Sequence, residues 1–147
     1  MDAIDAKILR ELERDGRVTN LQLADRVGLS PSACLRRVQA LEAAGVIKGY
    51  RAILDRAQLG AGLTVFVMVG LSGQLQRDAL AFERAMADSP EVLECHNVTG
   101  AVEYLLRVEV SDLAAYKHFH SDVLGTLPQV SSITSHVCLG SSKDQRA

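Results

Sequence analysis

The sequence predicts an α+β chain, in which an N-terminal winged helix-turn-helix domain precedes a C-terminal ferredoxin-like domain of order βαββαβ. Three observations lead to this prediction. The first 45 residues contain three helical segments with recognisable start or stop residues. After residue 62 the hydrophobic period changes to that of strands interleaved with two helices. Residues 55–62, which include two glycines, separate the two patterns and indicate a linker.

The three N-terminal helices are predicted from their ends. Residues 2–15 have apolar side chains at helical spacing, with Asp2 as a possible N-cap. Thr19 opens a capping box that predicts a second helix, which stops at Gly28. Ser30 and Pro31 open a third helix, which Gly45 ends. Residues 21–40 therefore form a helix-turn-helix, and the alternating residues 46–54 are expected to be a strand or small wing completing a domain over 1–54.

The second domain is expected over residues 63–139. Strands are predicted at 63–71, 92–98, 104–110 and 130–139, and helices at 75–87 and 113–127. In this order both helices cover one face of the sheet. The first strand, Thr64 to Val69, is apolar on both sides, so the other face is expected to be covered by a second subunit. The polar tail 140–147 is expected to be frayed.

The charge of the chain is unevenly distributed. From Arg26 to Arg51 there are five basic residues and one acid, whereas from Ala52 onward there are seven basic and eleven acidic residues. A cationic front half suits a polyanion such as double-stranded DNA, despite the formal net charge of −2.

The third helix carries the predicted DNA contacts. A helical wheel turns Cys34, Val38 and Leu41 to the core and leaves the opposite side exposed. An exposed arginine can grip guanine and a serine can reach a base edge or phosphate, and flanking cations can contact phosphates. Solvated surface arginines are the alternative interpretation. The candidate set is Arg26, Ser32, Arg36, Arg37, Gln39, Lys48 and Arg51.

Other classes of protein are not favoured by the sequence. The longest apolar run is too short to cross a membrane, and three widely spaced cysteines fit reduced thiols, so we expect a cytoplasmic protein. Cys34 is expected to be a core residue rather than a redox sensor. The histidines and cysteines lack zinc-site spacing, and no phosphate loop or nucleophile motif is present, so we expect no metal, no cofactor and no catalytic residue.

Several motifs together resemble one family, the leucine- and asparagine-responsive Lrp/AsnC regulators. The resemblance covers nearly the whole chain and rests on residues 4–9, 27–38, 45–50, 94–100 and 104–106. It implies a transcription regulator without catalysis. It also implies a dimer that pairs through the second-domain sheets, often closed into a ring of four dimers, with an amino acid or related metabolite bound between dimers.

The resemblance also implies an effector loop and two positions on the last strand. By correspondence these are Gly100, Ala101, Val102, Glu103, Tyr104, His136 and Val137. Many members carry two aspartates where this chain has Ala101 and Glu103. The loop is therefore expected to bind a different effector, to bind weakly, or to serve only as a turn between dimers, although a carboxylate there could accept hydrogen bonds from an α-amino group.

Three functional hypotheses follow. The first is a sequence-specific regulator tuned by a metabolite through oligomer change. The second is an architectural protein that wraps DNA without ligand control. The third, an enzyme, is retained only because ferredoxin-like domains host much chemistry.

Overall fold

The computed structural model describes residues 1–145, and the chain divides into two compact units, Met1–Ile53 and the residues from Leu54 onward. Each unit has its own hydrophobic core. No helix within residues 1–145 is both long and apolar enough to cross a bilayer.

The first unit contains the three predicted helices: α1 (Ala3–Arg14), α2 (Asn20–Val27) and α3 (Pro31–Ala43). The predicted caps are confirmed. Asp2 and Thr19 each form a capping box, and the Ser30 hydroxyl accepts the Ala33 N–H. Gly28 ends α2 at a φ of 76°, a left-handed conformation that glycine adopts without steric cost.

The core of the first unit lies where the three helices meet. Its buried members come from all three helices, which fixes the tilt of α3 on the other two. They are Ile8, Leu23, Ala24, Val27, Cys34 and Leu41. Cys34 is entirely buried, so its predicted role as a core residue is confirmed.

Of the strand or small wing predicted at 46–54, the strand does not form in the single chain, because no described residue between 44 and 62 lies in a strand. A strand needs a hydrogen-bonded neighbour, and here the N–H groups of Val46 and Ile47 instead bond back to the Leu41 carbonyl at the end of α3. Ile53 and Leu54 are largely exposed. The alternating pattern is real, but no strand among residues 1–145 pairs with it.

The second unit contains β1 (Leu63–Leu71), α4 (Gln76–Ala87), β2 (Val92–Asn97), β3 (Tyr104–Val110), α5 (Leu113–Asp122) and β4 (Val130–Val137). A short 3-10 turn, Leu124–Thr126, follows α5. The strands form one sheet in the order β2-β3-β1-β4, and every neighbouring pair is antiparallel. The predicted βαββαβ order is confirmed.

Both helices pack on the same face of this sheet. Phe82 and Met86 of α4 and Phe119 of α5 share one buried cluster with the alternate β1 residues Val65 and Val67. Burial of large side chains here supplies most of the driving force for folding of the unit. The opposite surface, which we call the open face, carries the intervening residues of each strand.

The open face is partly apolar and is crossed by the chain's tail. Phe66 and Met68 of β1 lie on it half-buried, and the Arg107 guanidinium stacks 5.4 Å above the Phe66 ring. Arg107 also pairs with Asp144 at 3.0 Å. This ion pair places the tail beside β3 as far as Asp144. The fraying expected for 140–147 stays a prediction, and residues 146 and 147 lie outside the described residues.

The pairing of β1 with β4 depends on Gly70. Gly70 is the register partner of Ser132, and the pairing shifts between Gly70 and Leu71. A side chain at position 70 would overlap the Ser132 hydroxyl. Glycine is thus the residue that allows this close approach without displacing the Ser132 hydroxyl.

Candidate nucleic-acid interface and ligand loop

The exposed side of α3 presents the side chains predicted to contact bases. Ser32, Arg36 and Gln39 are all exposed, while Cys34 and Leu41 on the opposite side are buried. Ser32 lies at the N-terminal end of the helix, where its hydroxyl is 3.4 Å from that of the Ser30 cap. One face of α3 therefore offers a hydroxyl, a guanidinium and an amide to a groove.

The cations that flank α3 differ in whether they already have an ion-pair partner within the chain. Lys48 and Arg51 are exposed on the segment after α3. Arg26 of α2 is 42% exposed, and its Nη1 lies 3.4 Å from a Glu11 carboxylate oxygen. A phosphate contact by Arg26 must compete with this pair, whereas Lys48 and Arg51 have no ion pair among the described residues.

Arg37 departs from the expectation of a phosphate contact. Its Nη1 lies 2.7 Å from one Asp2 carboxylate oxygen, 2.9 Å from the other and 3.0 Å from an Asp5 oxygen. The side chain is turned toward the first turn of α1, and neighbouring carboxylates reduce its attraction for a phosphate. These contacts and the cap hydrogen bonds lower the pKa of Asp2 from 3.8 to about 2, the Asp5 N–H being the largest cause and Arg37 the next.

One positioning contact was not predicted from the sequence. The Asn20 side-chain amide donates to the Pro31 carbonyl at 2.8 Å, so the start of α2 is tied to the start of α3. The signal in the sequence was only that Asn20 follows a helix cap, and such a position does not reveal a partner 11 residues away.

The predicted effector loop is ordered by the chain itself. Glu103 Oε2 accepts the Leu71 N–H at 2.8 Å, and the Glu103 carbonyl accepts the Val98 N–H at 2.9 Å. Gly100 has a φ of 117° that favours glycine. Ala101 is exposed and Val102 half-buried. Glu103 carries the only carboxylate in residues 100–104, and one of its oxygens is therefore already hydrogen-bonded to Leu71 at the end of β1.

The Tyr104 side chain is turned into the core. It is 1% exposed, its ring packs 4.6 Å from the Phe82 ring, and its hydroxyl donates to Glu83 at 2.6 Å. Burial and this carboxylate raise the pKa of Tyr104. β3 turns the Tyr104 side chain into the core, so within this chain a contact between residue 104 and an effector would fall to its backbone, and the effector assignment of Tyr104 stays a prediction.

His136 and Val137 lie apart from the loop in a single chain. His136 pairs with Phe66 across β4 and β1, while the Glu103 N–H bonds the Val69 carbonyl. Three residues of β1 and two strand spacings separate them, roughly 10 Å in each direction. His136 and Val137 are consecutive on a strand and point to opposite faces, so they cannot both line one cleft by their side chains.

Two of the three thiols have a raised pKa, which disfavours the nucleophilic thiolate. Burial raises the pKa of Cys34. Burial, followed by the Glu83 carboxylate, raises the pKa of Cys95 to about 11.

Within residues 1–145, no group of three or more histidines, cysteines or acids comes together as a metal site.

Comparison with known proteins matches both units. Residues 1–48 match the model of a winged helix-turn-helix DNA-binding family, and residues 64–147 match that of the Lrp/AsnC ligand binding domain. A leucine-responsive regulatory protein from Rhizobium meliloti is 44% identical over 144 residues, covering 98% of this chain and 92% of the relative. The one from Escherichia coli K12 is 41% identical over 139 residues, covering 95% and 85%. A solved transcriptional regulator from Neisseria meningitidis, in complex with L-Met, is 37% identical with a TM-score of 0.94, covering 98% of this chain and 93% of that chain.

A helix-turn-helix with an exposed polar helix, followed by a ligand-binding α+β domain, defines a DNA-binding transcription regulator. The two matched models and the identity with leucine-responsive regulatory proteins show that this chain belongs to the Lrp/AsnC family.

Proposed function

We propose that the chain binds specific DNA sequences through α3 and that an amino acid or related metabolite modulates this binding by changing its assembly. The observation that carries the DNA-binding role is the exposed row of Ser32, Arg36 and Gln39 on a capped helix. Arg36 reads a guanine, while Lys48 and Arg51 hold phosphates, joined by Arg26 once it leaves Glu11. A cytoplasmic location fits a chromosomal target.

The experiment that tests the groove assignment is a binding titration on duplexes selected by the wild-type protein from a random pool. Arg36→Ala should weaken binding to the selected duplex by about 1–3 kcal/mol, the usual value of a bidentate base contact. Arg14→Ala, which removes an equally charged and 76% exposed side chain on α1, is the matched control. Wild-type affinity in Arg36→Ala, with an unchanged circular dichroism spectrum, would refute the assignment.

We also propose that copies of the chain pair through the open face. Phe66, Met68 and Leu105 share this face, half-buried, and a partner would remove them from water. Dimers joined further into a tetramer of dimers would bring the Glu103 loop of one copy near His136 of another. This arrangement would bring together Glu103 and His136, two predicted effector-binding residues that lie roughly 14 Å apart in one chain.

The ligand proposal is supported by the ligand-binding family model and by the L-Met complex of the Neisseria meningitidis relative. Its test is the mass of the assembly with and without L-Met, L-Leu and the other amino acids. A mass that changes with one of them, together with a change in DNA affinity, is the expected result. An unchanged mass and affinity across the whole set would refute modulation by amino acids.

One observation favours the architectural alternative. Ala101 offers no polar atom, and Glu103 already bonds the Leu71 N–H, so the loop has fewer groups available for a ligand. An architectural protein would protect a long stretch of DNA at intervals of about one helical turn and ignore every small molecule. Footprinting with and without amino acids separates the two functions.

A further inference from the structure

Arg37 lies beside the DNA-contacting residue Arg36 but points elsewhere. All three of its short contacts converge on one nitrogen, Nη1, which reaches both Asp2 and Asp5. Its side chain is 33% exposed, and those of Asp5 and Asp2 are 17% and 55% exposed, so the pair with Asp5 is partly shielded from water while the pair with Asp2 is more open. An ion pair in that setting is stronger and more rigid than a fully exposed one.

The pair links the middle of α3 to the first turn of α1. Consecutive residues on a helix point about 100° apart, so fixing the direction of Arg37 also fixes the direction of Arg36. The apolar contacts of α3 run through Cys34 and Leu41 on its buried side and are not directional. A charge-assisted hydrogen bond has a defined geometry and can hold the helix against rotation about its own axis.

We propose that Arg37 is a positioning residue for DNA recognition, acting through Asp2 and Asp5 to aim the base-contacting face of α3. This inference rests on the proposed DNA-binding function. It assigns a role in specificity to Asp5 and Asp2, which are acidic and would otherwise be expected only to repel DNA.

The test is whether Asp5→Asn makes DNA binding tighter or weaker. If Arg37 were a phosphate contact, removing a carboxylate would free it and remove a repulsive charge, and binding to every duplex would become tighter. If Arg37 positions α3, Asp5→Asn should weaken binding to the selected duplex while binding to a scrambled duplex stays equal or becomes tighter. We expect the ratio of the two affinities to fall about fivefold to tenfold, within the range for a disturbed base contact.

Arg37→Gln gives a second measurement. A lost phosphate contact lowers the slope of log affinity against log salt by about 0.9. A positioning role leaves that slope unchanged and lowers only the affinity ratio. Arg37→Lys should restore part of the ratio of the two affinities. In the wild type a single guanidinium nitrogen contacts both the Asp2 and the Asp5 carboxylates, and a single ammonium group can do the same. Arg14→Gln controls for the loss of one positive charge from the same unit.

The outcomes are distinguishable. A wild-type chain that does not discriminate between the duplexes would refute the proposed function and, with it, this inference. Discrimination by the wild type that survives intact in Asp5→Asn, or a reduced salt slope in Arg37→Gln, would overturn the inference alone. Thermal unfolding of each variant identifies any that fails to fold, and Arg37→Lys, which keeps the charge, then carries the test.

Discussion

Replacing Glu103 by alanine should destabilise the second unit even in the absence of any ligand. Its carboxylate accepts the Leu71 N–H at 2.8 Å, where β1 ends and its pairing with β4 shifts. The substitution removes only the side chain. The backbone bonds of residue 103 to Val69 and Val98 remain, so the measured change reports on the carboxylate.

The magnitude follows from the kind of bond lost. Hydrogen bonds to charged groups contribute about 1.5–3 kcal/mol, and leaving a buried donor unsatisfied costs about 1–3 kcal/mol. Because Leu71 is only half-buried and water can replace part of the bond, we expect a loss of about 1.5 kcal/mol. For a unit of this size that corresponds to a fall in melting temperature of roughly 6–12 °C. Glu103→Gln keeps an acceptor oxygen and should lose about half as much.

The assay is thermal unfolding followed by circular dichroism, at one protein concentration because the proposed association would otherwise shift the transition. Asp88→Ala, which removes an exposed carboxylate after α4, is the matched control. A melting temperature equal to that of the wild type in Glu103→Ala would refute the structural role. The carboxylate would then be available to a ligand, as the family resemblance implies.

Three further predictions concern the caps and the thiols. Ser30→Ala should destabilise the first unit by about 1 kcal/mol in denaturant unfolding, since it removes an N-cap. Because the folded-state pKa of Asp2 is lowered from 3.8 to about 2, its contribution is complete above pH 3.8 and disappears as the pH falls through 2. Asp2→Asn should therefore melt lower than wild type at pH 6, with a difference that shrinks toward pH 2. Iodoacetamide at pH 8 should alkylate Cys138 before Cys34 or Cys95, because burial raises the pKa of the latter two; faster labelling of Cys34 would contradict its buried position.

The elements were predictable where the determining residues are neighbours in sequence. Caps such as Thr19 and Ser30 act within one turn of their helix, and the bounds of β1 and β3 follow from runs of apolar residues. The strand predicted at 46–54 failed for a related reason. Alternation reports that a segment suits a strand, but it carries no information on whether a neighbour exists to pair with it.

The candidate sites were predictable only in outline. The exposed side of α3 follows from helical geometry and is seen at Ser32 and Arg36. The ion pairs of Arg37 with Asp5 and of Arg107 with Asp144 join residues that are 32 and 37 positions apart, so no local sequence pattern reveals them. In each such pair, a side chain that appears unpaired in the sequence is held in one direction by a residue distant along the chain.

The narrow gap at Gly70 has a consequence for the last strand. A side chain there would have to displace the Ser132 hydroxyl, either by rotating it or by moving β4, and a slide of β4 by one position would exchange the two sides of the strand. After such a slide, His136, the register partner of Phe66, would turn from the open face toward the helices. The absence of a side chain at position 70 thus helps to keep the His136 side of β4 available to other molecules.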